Sequence, residues 1–251
     1  MINRYGTLAA WVYHLDKPIG HSFGDIEYYR DRLAACTGPI LEPATGNGRV
    51  LIPLLEAGLS VTGFDGSEDM LAYCRQECRR RDLEPPLTCQ RFEDFHYDHP
   101  FDAIILPAGS FQLITDTAVA QQVLARFLAA LAPGGRLLLD LDPISSLIHA
   151  GASCRHWQTG DDLLTLQHTP LATDYLRQTT HAQLRYEHWH NGELVRSQLE
   201  TFHLRWWGVH EMTLALAAAG FGDIQVCGDY RHDQVPESDA GILTFEATRP
   251  G

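Results

Sequence analysis

The sequence predicts an α/β protein: a mostly parallel sheet covered on both faces by helices, carrying an antiparallel insertion. Three observations lead there. Short apolar segments alternate with helix-like segments from Pro39 to Asp142. A glycine turn joins the first apolar segment to the first helix. Beyond about Ile144 the alternation stops, and long strand-like stretches meet at Asn191-Gly192, a strong two-residue hairpin signal.

The elements follow in order. The first 38 residues are rich in aromatics (Tyr5, Trp11, Tyr13, Phe23, Tyr28, Tyr29), and Asp25 to Cys36 places Ile26, Tyr29 and Leu33 on one helical face. Pro39 to Glu42 is a first strand, Thr45 to Gly48 a turn, and Arg49 to Ala57 a helix closed by Gly58. Ser60 to Phe64 is a second strand. Ser67 caps a helix to about Arg81. Leu87 to Phe92 and Phe101 to Leu106 are strands, Asp116 to Leu131 a helix, and Arg136 to Asp142 a fifth strand. Leu163 to His168, Tyr175 to His190 and Glu193 to Trp206 make the antiparallel part. Val209 to Ala219 is a helix ended by Gly220, and Asp223 to Tyr230 and Gly241 to Thr248 are the last strands. The core therefore comprises 1–143 and 208–251 with an N-terminal helical cap, and 144–207 is the insertion, a substrate lid, a dimer interface or both.

Composition narrows the class. Nineteen Lys and Arg against 32 Asp and Glu give a formal charge of −13, which argues against nucleic acid as the main partner. No apolar run approaches a membrane span, and Leu8 to Val12 is too short for a secretory signal. The cysteines at 36, 74, 78, 89, 154 and 227 form no CxxC and read as free thiols. A soluble, cytoplasmic protein is expected.

The segment Ile40-Leu-Glu-Pro-Ala-Thr-Gly-Asn-Gly-Arg49 is the most informative. Glycines let backbone approach a ligand, and the helix start offers unpaired N–H groups that suit an anionic group. Asp65 ends the second strand 19 residues after Gly46, where an acid can accept from both hydroxyls of a ribose. A nicotinamide site wants a third glycine, but Gly46-Asn-Gly48-Arg-Val-Leu51 lacks it.

Three motifs, Leu41 to Arg49, Val61 to Leu71 and Leu131 to Leu139, resemble the first, second and fifth strand motifs of class I S-adenosylmethionine-dependent methyltransferases. Tyr5 to Asp16 and Phe101 to Phe111 are similar to the small-molecule branch of that family. The resemblance implies a Rossmann-like, doubly wound, seven-stranded sheet with S-adenosyl-L-methionine as cofactor. It implies that Glu42 helps hold the methionine amino group, that Ala44, Thr45, Gly46 and Gly48 wrap the methionine portion with Arg49 beside them, and that Asp65 binds the ribose. Gly66, Ser67 and Met70 would flank ribose and adenine, and Phe92, Glu93 and Asp94 would frame the adenine. Leu106, Pro107 and Ala108 would pass near the sulfonium, and Tyr13 and Tyr29 would close the pocket. The first glycine of the usual motif is Ala44, and Arg91 stands where many relatives carry an adenine-binding acid. Glu93 or Asp94, or backbone and packing alone, would then serve.

The acceptor is expected to be a small molecule with a nitrogen or oxygen nucleophile. Phe111, Trp206 and His210 are the candidate substrate contacts, chosen from a wider group that includes His149, His156, Tyr186, His203 and Trp207. No catalytic base is assigned. His188 and His190 share a strand face, but no third ligand is evident and no metal is expected. Two rival readings are a nicotinamide-dependent oxidoreductase, for which Lys17, the sole lysine, is badly placed, and a non-catalytic cofactor-binding module. Exposed hairpin edges need cover, so a homodimer is an expectation.

Overall fold

The computed structural model describes residues 4–251; the first three residues of the stretch weighed above as a leader lie outside the described residues. Along the chain come α1 (Thr7–Asp16), α2 (Asp25–Leu33), β1 (Ile40–Pro43), α3 (Leu51–Glu56), β2 (Val61–Asp65), α4 (Glu68–Arg79), β3 (Leu87–Cys89) and β4 (Phe101–Leu106). Then follow α5 (Thr117–Ala130), β5 (Leu131–Leu141), α6 (Ile144–Ile148), β6 (Ser153–Thr159), β7 (Asp162–Asp174), β8 (Thr179–His190) and β9 (Glu193–Arg205). The chain closes with α7 (Val209–Ala219), β10 (Gly222–Gly228) and β11 (Leu243–Thr248).

Seven strands form one sheet in the order β10-β11-β5-β4-β1-β2-β3. The run from β5 to β3 is parallel, and β11 is antiparallel to both β5 and β10. Parallel strands must be covered on both faces, and the burial agrees: all four residues of β1 are buried. One face carries Phe64, Phe101, Leu124, Phe127, Met212 and Phe245. The other carries Tyr29, Leu33, Leu51, Leu54 and Cys74.

The other four strands make a second, antiparallel sheet in the order β6-β7-β8-β9. Asn191 and Gly192 both adopt positive φ (51° and 83°), the conformation that a tight β8–β9 turn demands. One face of this sheet, through Leu164, Leu184 and Tyr186, packs on Leu8, Ala9 and Val12 of α1.

Several boundaries differ from expectation. Helix α3 begins at Leu51 rather than Arg49, because the glycine turn extends through Gly48 (φ 87°). Strand β3 stops at Cys89, and Phe92 instead packs against Phe64 and Phe127. Strand β5 starts at Leu131, which pairs with Phe101 ahead of the Pro133-Gly134-Gly135 bulge. Strand β6 and helix α1 carry no clear sequence signal. At α1 the missing cap is tertiary: Gly6 N–H donates to Glu200 Oε1 (2.8 Å) and Leu8 N–H to Gln198 Oε1 (2.9 Å), both on β9.

Candidate cofactor and acceptor site

The carboxyl ends of β1, β2, β4 and β5 lie along one edge of the sheet, since these strands are parallel neighbours. At the end of β1 the backbone turns through Ala44 (φ 54°), Gly46 (φ 60°) and Gly48 (φ 87°). A Cβ on Gly48 would fall 2.8 Å from Cys74 Sγ and 3.0 Å from Ile52 Cδ1, so no side chain fits between turn and helix. Gly46 N–H donates to Asp65 Oδ2 (2.9 Å) and Ser67 N–H to Asp65 Oδ1 (2.8 Å). Burial pushes the Asp65 carboxyl up, opposed by the N–H groups of Ser67, Gly46 and Gly66. Ser67 Oγ caps α4 by accepting from Met70 N–H and donates to the Tyr5 carbonyl (2.7 Å). Helix α1 crosses this turn: Asn47 Nδ2 donates to the Lys17 carbonyl (2.9 Å).

Two buried polar atoms here lack a protein partner among the described residues: Glu42 Oε2 and Thr45 Oγ1. Leaving such atoms unpaired costs about 1–3 kcal/mol each. Burial raises the Glu42 carboxyl to about 8, with the Arg49 charge pulling it down and Asp25 and Asp65 adding to the rise.

Beside the turn, Arg49 is buried in an ion pair with Asp25 (Nη2 to Oδ2, 2.5 Å) and donates from Nη1 to the His21 carbonyl (2.8 Å). Its guanidinium lies 5.3 Å from the centre of the Phe23 ring. Asp140, near the end of β5, accepts from Thr244 Oγ1 (2.7 Å), Tyr230 OH (2.9 Å) and Ala108 N–H (3.1 Å). Burial pushes it up to about 6, and those donors hold it from going further. Asp142 follows one residue beyond the strand.

Tyr13, Glu42, Ala44, Thr45, Gly46, Gly48, Asp65, Gly66, Ser67 and Met70 thus surround one turn, and a Cβ on Gly46 would lie 4.0 Å from Tyr13 Cε1 and 3.0 Å from Met70 Cε. Leu106 is buried at the end of β4, and Pro107 and Ala108 (φ 55°) turn the chain above it. Phe92 sits in an aromatic cluster, while Glu93 and Asp94 are exposed; Arg91 N–H donates to Asp94 Oδ1 (3.2 Å). Tyr29 is fully buried in the core beside Asp140 rather than at a pocket mouth.

The three substrate candidates have other surroundings. Phe111 is fully buried against Trp207 (5.6 Å between ring centroids), because the turn after β4 folds back onto the core. The Trp206 ring packs on Tyr175, and its backbone N–H donates to the Gln178 carbonyl. His210 is exposed at the start of α7. Of the wider group, His149 and His156 are exposed and Tyr186 is buried under α1. His188 and His190 both hydrogen-bond Asp162 Oδ1 (2.7 and 2.8 Å) across the hairpin end.

Lys17, Asp25, Asp140, Asp142 and Tyr230 were not anticipated. A signal existed for two of them: Leu137-Leu-Leu-Asp-Leu-Asp142 sets acids into an apolar strand that ends at the sheet's ligand-binding edge.

Residues 40–135 match a family model described as a methyltransferase domain. A glycine/sarcosine N-methyltransferase of Parasynechococcus marenigrum (strain WH8102) is 29% identical over 196 residues, 77% of this chain and 66% of that protein. A glycine/sarcosine N-methyltransferase of Halorhodospira halochloris is 34% identical over 119 residues, 47% of this chain and 44% of its own length. The chain therefore spans less than two thirds of these relatives. A crystal structure of an S-adenosylmethionine-dependent methyltransferase from Clostridium acetobutylicum superposes with a TM-score of 0.78 at 16% identity, covering 96% of this chain and 98% of that one. Residues 40–135 are thus similar to a methyltransferase domain, and the chain, with its strand order, glycine turn and acid at the end of β2, has the fold of an S-adenosylmethionine-dependent methyltransferase. The residues present fit its cofactor: the unpaired Glu42 oxygen suits a cationic amino group, and the Gly46–Gly48 cradle would be filled by any Cβ.

Proposed function

We propose that the chain moves a methyl group from S-adenosyl-L-methionine to the nitrogen of a small molecule. The observation that carries this is the buried, unpaired Glu42 oxygen beside a glycine turn that is itself tied to Asp65. When bound, the cofactor supplies a methyl on a cationic sulfonium; the acceptor's lone pair forms the new N–C bond and the S–C bonding pair stays on sulfur.

The chain's own work is placement and exclusion of water. Glu42 and Thr45 take the methionine end, Asp65 the ribose hydroxyls, and Met70 and Ser67 the flank. Tyr13 covers the turn and presents a ring to the sulfonium side, where a π face favours a cation. A neutral amine needs no strong base, and the relatives named above are N-methyltransferases. Radiolabelled methyl transfer to a panel of small amines tests the reading. Turnover that is lost in Glu42→Gln and Asp65→Ala is expected; labelled oxygen acceptors only would overturn the assignment to nitrogen.

The antiparallel sheet is proposed as a lid and homodimer surface. Its edge strand β9 exposes Leu194, Val195 and Leu199, which a second copy would cover. Light scattering at the mass of two chains is expected, and a single-chain mass rejects it. The six free cysteines favour a cytoplasmic location.

A further inference from the structure

Two charges beside the cofactor turn have no hydrogen-bond or ion-pair partner among the described residues. Lys17 is the sole lysine of the chain and follows the end of α1. Its ammonium lies 5.1 Å from the centre of the Tyr13 ring and 5.9 Å from that of Phe23, which hold the stem without neutralising it. Asp142 follows β5, and its Oδ2 lies 2.9 Å from where a Cβ on Gly109 would sit, so the carboxylate hangs over the turn that closes β4. Among the described residues neither side chain makes a hydrogen bond to a protein atom or an ion pair, although each feels the charge of the other.

The neighbouring charges are already committed. Arg49 is held by Asp25 and the His21 carbonyl, Arg155 is paired with Asp16, and Asp140 accepts from Thr244, Tyr230 and Ala108. Half-buried, unpaired charges of opposite sign lose solvation without recovering it. A ligand with a cation at one end and an anion at the other satisfies both together.

We propose that Lys17 and Asp142 are the two poles of the acceptor subsite and select a small amino acid, with Asp142 holding its amino group and Lys17 its carboxylate. This rests on the methyl-transfer reading above and adds the acceptor's charge pattern to it. The orientation follows from position. Asp142 lies beside Ala108 and Gly109, on the side where the family resemblance sets the sulfonium. Asp142 accepts one proton from the bound ammonium before transfer, so the amino nitrogen presents its lone pair to the methyl group, and the carboxylate points away toward α1.

Binding to protein saturated with S-adenosylhomocysteine tests this, after calorimetry has shown that the loading occurs. Ligand-observed NMR titrations would use the α-amino acids, sarcosine, glycinamide, methylamine, acetate and glucosamine. At least one α-amino acid is expected to bind, with glycinamide and methylamine roughly tenfold weaker or more, the worth of one charge-assisted contact. Lys17→Met should weaken amino-acid binding about 10- to 100-fold and abolish the preference over the amide. Lys17→Arg should keep most of it, and Asp142→Asn should weaken all amines alike. S-adenosylhomocysteine affinity should be unchanged in all three variants, which also shows that they fold. No bound amino acid, equal binding of glycine and glycinamide, or glucosamine bound independently of Lys17 would overturn the proposal. Failure of the wild type to load S-adenosylhomocysteine would instead overturn the methyl-transfer reading beneath it.

Discussion

Gly46 donates its backbone N–H to Oδ2 of Asp65 at 2.9 Å, so the turn after the first strand is fastened to the end of the second. The carboxylate keeps lone pairs for a second donor on each oxygen, which is what two ribose hydroxyls require. Gly46→Ala strains a φ of +60° and brings a Cβ to 3.0 Å from Met70 Cε. Urea unfolding should show a loss of about 1–3 kcal/mol. Cofactor affinity should fall with it.

Glu42 is held protonated at neutral pH by burial, its carboxyl raised to about 8. A cationic amino group placed against Oε2 favours the ionised form. S-adenosylmethionine binding at pH 7 should therefore release close to one proton, read as a dependence of calorimetric heat on the buffer's ionisation enthalpy. Glu42→Gln should abolish the release.

Asp140, at about 6, and Glu42, at about 8, are both raised in the folded protein above their unfolded values of roughly 3.9 and 4.3. The folded state thus binds protons that the unfolded state has already lost. Each group therefore makes stability fall as pH rises, Asp140 between about 4 and 6 and Glu42 between about 4 and 8. Asp140→Asn should flatten the slope between about pH 4 and 6 in denaturation midpoints measured without cofactor.

The Asp25–Arg49 pair is buried on both sides, with side chains 1% and 4% exposed. Removing one partner leaves a buried charge alone. Asp25→Ala should cost about 3–5 kcal/mol of unfolding free energy. It should also loosen the start of α2, where Asp25 Oδ1 accepts from the Phe23 and Ile26 N–H groups.

Local signals made the parallel sheet legible. Ser67 and Asp116 are side-chain caps next to their helices, and Gly220 at φ 102° ends α7. The placement of the glycine turn against Asp65 was legible because it depends on spacing along one β-α-β unit. Helix α1 was not, since its donors are met by Gln198 and Glu200 from some 190 residues away. Asp162, the partner of His188 and His190, arrives from 26 and 28 residues upstream in the same way. The proposed acceptor side was least legible: Lys17 and Asp142 belong to no motif. Phe111 was expected to contact the substrate, but its ring packs on Trp207.

The central claim is that the Gly46–Asp65 unit binds S-adenosylmethionine. Calorimetry with S-adenosylmethionine, S-adenosylhomocysteine and NAD(H), on wild type and Asp65→Ala, tests it most directly. Micromolar binding of the first two ligands by wild type, weakened at least roughly tenfold in Asp65→Ala with no NAD(H) binding, is the predicted result. No binding of either, a preference for NAD(H), or binding indifferent to Asp65→Ala would contradict it.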